Sequence, residues 1–261
     1  MPAINVRVNL YPMATVNDDE AAVDAASGGA GKSAYVREVF STIAPRYDFL
    51  NHLLSMNIDR RWRRNAISEL SVERNESGWY LDLCAGTLDI STMLARNAGF
   101  RGSVLAADFA EPMLRAGAHK IGPSRIAPVA ADALQLPIAD ASVAGAISAF
   151  GIRNIADLDA ALREVFRILE PGARFVILEF SVPRSRALNG LYGFYFNRVL
   201  PVVGGVVSGH RTAYRYLPRS VEAFPNRDNL ARRMTSAGFT DVRWRELSFG
   251  IAAIHTGQRA C

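Results

Sequence analysis

Residues 81–91, LDLCAGTLDIS, decide the fold. An apolar strand over residues 79–83 passes through Asp82, turns at Cys84, Gly86 and Thr87, and gives way to a helical pattern. Strand, glycine turn and helix form the first unit of an open α/β sheet, whose ligands sit beyond the carboxyl ends of the strands. Gly86 permits positive φ and close backbone approach, and Thr87 with the N–H groups after it opens a helix N-terminus. Leu88 stands where a third small residue is usual. The last glycine of such loops serves helix–strand packing, so the Leu88 side chain is expected to face the packing layer.

Outward from this loop the same alternation continues. The runs at 102–109, 126–132, 143–150 and 174–181 are short and apolar, and DISTMLARNA, EPMLRAGAHKI and DLDAALREVFRIL between them have helical spacing. That pattern predicts a doubly wound, Rossmann-like, mainly parallel sheet with helices on both faces. The C-terminal segment reads as a helix stopped at Gly238 and two strands that close the sheet as a hairpin. Seven strands result. Before the first strand, Val36, Val39, Phe40 and Ile43 make one helical stripe, so residues 34–78 are read as N-terminal helices and residues 1–33, ending in AASGGAGKS, as a flexible tail.

Composition narrows the function classes. The 261 residues are 49% hydrophobic and 21% charged, an ordinary globular balance. The formal charge is +5, with basic clusters at Arg60, Arg61, Arg63 and Arg64 and at Arg211, Arg215 and Arg219 that suit an anionic surface or a solvated helix face. Two cysteines exclude a disulfide framework and point to the cytoplasm. The four histidines are too scattered for metal ligation, so no metal is expected. No secretory signal opens the chain. The apolar stretch 188–209 is broken by Asn197, Arg198, Pro201 and glycines, which makes a poor membrane span.

The ligand can be narrowed further. Asp108 ends the second strand 22 residues after Gly86, where a carboxylate can take both hydroxyls of a ribose. Asp132, after the third strand, can meet an adenine amino group or simply hold a turn. A nicotinamide dinucleotide needs G-x-G-x-x-G room for its pyrophosphate, which Cys84 and Leu88 do not supply. An adenosyl ligand without phosphate asks less of the loop, so the balance tips toward S-adenosylmethionine.

Several longer stretches then carry a resemblance. YDFLNHLLSMNIDRRWRR (47–64), FGIRNIADLDAALREVFRILEPGARFVILEFSVP (150–183), AYRYLPRSVEAFP (213–225) and MTSAGFTDVRWRELSFGIAAIHTG (234–257) resemble the C-methyltransferases of menaquinone and ubiquinone biosynthesis over residues 35–259. The chain departs from that family at Asn57, Asp59, Leu88 and Ala173. The resemblance implies a class I methyltransferase domain over 34–261, with an inserted helical lid at 184–217. It implies S-adenosylmethionine held by Tyr47, Asn51, Asp82, Gly86, Thr87, Asp108, Phe109, Asp132, Ala133 and Ala149. It also implies C-methylation of a reduced polyprenyl quinone, with Arg153, Asn154, Tyr214 and His210 as the polar groups able to reach the ring. Arg153 is the candidate for stabilising the phenolate or ordering a water base. Phe194 and Phe196 in the lid are expected to line a tunnel for the prenyl tail.

Demethylmenaquinol is the favoured substrate. Benzoquinol methylation, a recruited secondary-metabolite reaction, a non-catalytic scaffold and an oxidoreductase are the rivals. The partners implied are the polyprenyl quinol, a membrane surface met peripherally on its cytoplasmic face, and no nucleic acid, since no Asn-Pro-Pro-aromatic or Pro-Cys motif occurs; there is room for a homodimer.

Overall fold

The computed structural model describes residues 31–44, 55, 57–122, 125–183, 185, 190, 193, 198 and 211–261, with the backbone alone at 43 and 211–215. The tail over residues 1–30, most of the expected lid, and the expected site residues Tyr47, Asn51 and His210 lie outside the described residues, as do Phe194 and Phe196.

Seven strands form one sheet: β1 (Trp79–Leu83), β2 (Ser103–Asp108), β3 (Ile126–Ala130), β4 (Val143–Ala149), β5 (Leu169–Phe180), β6 (Phe239–Leu247) and β7 (Ala252–Arg259). The order is β3-β2-β1-β4-β5-β7-β6. All pairs from β3 to β5 are parallel, and β7 runs antiparallel to both β5 and β6. The order reverses between β1 and β4, which places the ligand crevice beyond the ends of those two strands. The central strands are buried on both faces and read accordingly as nearly continuous apolar runs.

The described helices are α1 (Lys32–Ile43), α2 (Ile58–Ile67), α3 (Asp89–Ala95), α4 (Glu111–Gly117), α5 (Leu158–Ile168), α6 (Arg211–Ala223) and α7 (Arg227–Ser236). On one face of the sheet, Trp62 and Ala66 of α2, Leu94 of α3 and Leu114 of α4 pack on Val176, Leu178 and Ile254. On the other, Leu162, Val165 and Ile168 of α5 and Leu230 and Met234 of α7 pack on Leu81, Phe175 and Ile177. Helix α5 illustrates the local logic. Asp157 caps it, accepting from the Ala160 N–H at 2.9 Å, and its buried residues recur at helical spacing.

Two boundaries differ from the sequence expectation. Strand β5 begins at Leu169, directly after α5, because Leu169 already pairs with Val143; the register then jumps to Arg174 opposite Gly145. Residues 170–173 are therefore a bulge inside the strand, held by Arg74, which donates to the Pro171 carbonyl at 3.0 Å. At the N-terminus helix α1 starts at Lys32, inside the glycine-rich run, since the Lys32 ammonium is drawn into the protein to donate to the Arg153 carbonyl at 3.0 Å.

Candidate active site

A cleft of about 820 Å³, solvent at its mouth included, opens at the carboxyl ends of β1, β2 and β4. The loop after β1 forms its floor. Cys84, Gly86 and Leu88 all have positive φ, at 59°, 52° and 68°. These left-handed residues fold the turn tightly between strand and helix. A Cβ on Gly86 would meet nothing nearer than the Met113 methyl at 3.6 Å, so the glycine serves backbone conformation and leaves the cleft open. Leu88 is fully buried in the core on the α2–α3 side, in the packing layer where the sequence placed it. Gly117, at the end of α4, provides the close approach on that side: a Cβ there would stand 2.3 Å from the Thr87 carbonyl oxygen.

Asp108 is the centre of the cleft. One carboxylate oxygen accepts the Gly86 N–H and the other the Ala110 N–H, each at 2.8 Å. These bonds tie the tips of β1 and β2 together and aim the carboxylate while each oxygen keeps a lone pair. Burial raises its pKa and the two N–H donors oppose the rise. Around it lie Phe109, Met113, Ala133, Leu134 and Ala149, apolar walls suited to a planar base. Asp132 is exposed at the rim and accepts the Leu134 N–H at 2.9 Å, so it holds a turn and faces the cleft at once.

The N-terminus of α3 is already occupied by the protein's own carboxylates. Asp82 accepts the Ser91 N–H at 2.9 Å and the Ser91 hydroxyl at 2.6 Å, and Asp89 stands in the first turn. The Ser91 N–H is therefore spent on Asp82, and Asp89 is itself paired with Lys120 at 2.7 Å and Arg63 at 3.8 Å, so this helix start is filled by the protein's own polar groups. A phosphate-free nucleoside asks nothing of the Ser91 N–H that Asp82 already holds.

Of the expected cofactor residues, Gly86, Asp108, Phe109, Asp132, Ala133 and Ala149 line the cleft. Asp82 and Thr87 lie buried behind its wall, because the carboxylate of Asp82 is consumed in joining β1 to α3. Complete burial pushes the Asp82 pKa up to about 7. Of the expected catalytic residues, Asn154 lines the cleft. Arg153 does not. Its guanidinium is turned inward onto Glu179 at 2.7 Å, the Phe150 carbonyl and Ser220 at 3.3 Å, with the Phe180 ring 5.5 Å away. The side chain of Tyr214 is outside the described residues, though its backbone lies in α6.

Sequence reasoning missed a group behind Asn154. Tyr216 on α6 donates to Asn154 Oδ1 at 3.2 Å, and burial raises its hydroxyl pKa to about 12. Glu179 also accepts the Phe180 N–H at 2.8 Å, while its second oxygen is buried and unpartnered. Burial raises the Glu179 pKa against the pull of Arg153. Ser33, Arg37 and Phe40 of α1 close one side of the cleft, with Arg37 5.5 Å from the Phe109 ring centre. The single sequence signal for this group was the apolar stripe that made α1 amphipathic.

Comparison with known proteins agrees with this geometry. Residues 29–259 match the ubiE/COQ5 methyltransferase family. The demethylmenaquinone methyltransferase of Thermus thermophilus is 48% identical over 223 residues, 85% of this chain and 100% of that one. The ubiquinone/menaquinone biosynthesis C-methyltransferase UbiE of Geobacter sulfurreducens is 44% identical over 232 residues, 87% of this chain and 90% of that one. Among solved structures, phosphoethanolamine N-methyltransferase 2 of Haemonchus contortus, in complex with S-adenosyl-L-methionine, has the same fold. It superposes with a TM-score of 0.55 at 13% identity, over 76% of this chain and 53% of that one.

Proposed function

The chain belongs to the ubiE/COQ5 methyltransferase family, and we propose that, among the quinols such enzymes take, its own substrate is demethylmenaquinol. It is an S-adenosylmethionine-dependent C-methyltransferase acting on a quinone precursor. The observation that carries the reading is the Asp108 cradle: a buried carboxylate held by the Gly86 and Ala110 N–H groups and aimed into an open cleft. The name of the Thermus thermophilus relative, which specifies the one reaction, supports the naphthoquinol over the benzoquinol.

The cofactor supplies an electrophilic methyl group on a sulfonium centre. The chain's residues do the rest. Asp108 would accept the ribose hydroxyls, and Ala133, Leu134 and Phe109, which line the cleft beside it, would flank the base. Asn154, fixed by Tyr216, presents its amide N–H groups to the phenolic oxygen as negative charge develops there. Arg153, behind the wall, pairs with Glu179 and holds the Phe150 carbonyl, and with it the turn that carries Asn154, in place. This constellation orients the ring for attack. Tyr47 and Asn51 are proposed to close over the methionine end, and residues 184–217 to cover the prenyl tail, with Tyr214 and His210 reaching the ring. A cytoplasmic enzyme meeting its lipid-tailed substrate at the membrane face follows from that assignment.

The test is mass spectrometry on the full chain with S-adenosylmethionine and chemically reduced short-tailed demethylmenaquinone. A product one methyl group heavier is expected. Product from a demethylated benzoquinol alone reassigns the substrate within the family. Thermal stabilisation by S-adenosylhomocysteine, lost in Asp108→Ala, reports the cradle separately.

A further inference from the structure

Four large apolar side chains are exposed among the described residues: Ile58 (38%), Trp79 (45%), Val182 (39%) and Phe249 (81%). Three of them converge at one place. Ile58 opens helix α2, and that helix's Trp62 donates to the Ser248 hydroxyl at 2.9 Å, beside Phe249. Val182 follows Ser181, whose N–H donates to the Ile251 carbonyl at 2.9 Å, and the Pro183 Cα stands 3.3 Å from where a Gly250 Cβ would be. Trp79 begins β1, at the opposite end of the sheet from the cleft.

Phe249 is held out by a costly backbone. Ser248, Phe249 and Gly250 have φ of 46°, 59° and 90° in succession. The conformation itself is what the tight turn between β6 and β7 needs, the Ile251 N–H closing it on the Ser248 carbonyl at 3.3 Å; a turn asks for no aromatic side chain, and the 81% exposure of this one is what the fold does not use. Helical periodicity puts Arg61 beside Ile58 on the exposed side of α2, Arg64 further round the same side and Arg60 at its far edge, none in an ion pair among the described residues. The nearby acids are already matched: Asp59 with Arg63 at 3.3 Å, Glu69 with Arg245 at 3.0 Å and Glu246 with Arg227 at 3.1 Å. An apolar tip beside uncompensated arginines has the chemistry of the interface of an anionic bilayer.

The geometry points to this surface, Phe249 with Ile58 and Val182 as the inserted tip and Arg60, Arg61 and Arg64 as the headgroup contacts, as the docking face for an anionic phospholipid membrane. No helix among the described residues is long and apolar enough to cross a membrane. The face also backs onto the cleft. Trp62 lies 6.1 Å from the ring of Phe150, which lines the cleft, and Phe150 lies 4.6 Å from Phe180. The purpose of such a face rests on the polyprenyl-quinol reading; its chemistry stands on the surface itself.

The experiment is co-sedimentation of the full chain with vesicles of phosphatidylcholine alone and with phosphatidylglycerol added. The expected result is salt-sensitive binding to the anionic vesicles. Phe249→Asn, which keeps a residue tolerant of the left-handed backbone, should weaken binding roughly ten-fold. Neutralising Arg60, Arg61 and Arg64 to Gln should weaken it by about five-fold per residue. Turnover of a short-tailed, soluble quinol should stay within about two-fold in both variants, since neither touches the cleft. Equal binding to both vesicle types, or undiminished binding by Phe249→Asn, would overturn the proposal. So would binding to a nucleic-acid duplex that needs the arginines and is indifferent to Phe249. Vesicle binding with the expected variant losses, in a protein that methylates no quinol, supports the docking face and removes the substrate reading alone.

Discussion

Leu88 stands in a left-handed conformation that costs a leucine on the order of 1–2 kcal/mol. Its side chain returns more than that through complete burial against α2 and α3. The opposition of these two effects makes an ordering that reverses the usual one. In most buried positions alanine is tolerated better than glycine. Here Leu88→Ala keeps the strain and loses the packing, while Leu88→Gly loses the packing and sheds the strain. Both variants should be destabilised, by about 2–4 kcal/mol, with the glycine variant more stable than the alanine variant by about 1 kcal/mol in urea denaturation. An alanine variant that is the more stable would show that the loop relaxes away from this conformation. Cofactor affinity should change little in the glycine variant, because the side chain points away from the cleft.

Strand β5 and the short 3-10 turn at Ile152–Asn154 are joined by a buried ion pair, Arg153 with Glu179 at 2.7 Å, both almost fully enclosed. Removing one partner strands the other charge, at a cost of about 3–5 kcal/mol, whereas removing both leaves none stranded. We therefore expect Arg153→Met and Glu179→Gln each to be more destabilising than the double variant, as read from a double-mutant cycle of unfolding free energies. Additive losses would mean that the two charges do not support one another. The same contact explains why Arg153, expected from the sequence to face the ring, turns inward. Its neighbour Asn154 does face the cleft, and adjacent positions in a tight turn project in different directions. Sequence alone does not say which of the two turns inward.

Across the whole molecule, His255 links the two antiparallel closing strands to the layer of helix α7. It lies in β7, its Nε2 is 3.0 Å from the Arg227 carbonyl oxygen, and its Nδ1 is buried without a partner. Burial lowers its pKa to about 4 from the usual 6.5. The folded state thus favours the neutral ring. This contribution to stability is complete above pH 6.5 and is lost as the pH falls toward 4, because the unfolded chain takes up the proton first. The raised carboxyls, Asp82 above all, act in the opposite sense over much of the same range and flatten the total profile. The stability difference between the protein and His255→Gln isolates the histidine. It should shrink by on the order of 3 kcal/mol between pH 6.5 and pH 4. A difference independent of pH would mean that the ring is already charged, or solvated, in the native state.

The sequence by itself determined the architecture and the cofactor end of the cleft. Strand and helix periods are local properties of the chain, and a glycine turn followed 22 residues later by Asp108 specifies two adjacent strand ends without reference to anything distant. The placement of Leu88 followed from the same local logic. The tertiary structure alone decided what stands behind the wall. The pairing of Arg153 with Glu179, the hydroxyl of Tyr216 on Asn154 and the drawing of Lys32 toward the Arg153 carbonyl join residues 26, 62 and 121 positions apart. No periodic pattern encodes such contacts, because each depends on where the sheet brings the ends of separate elements together. The exposed Phe249 has the same origin. Its apolar character is written in the chain, but its exposure follows from a turn that only the folded sheet holds in place.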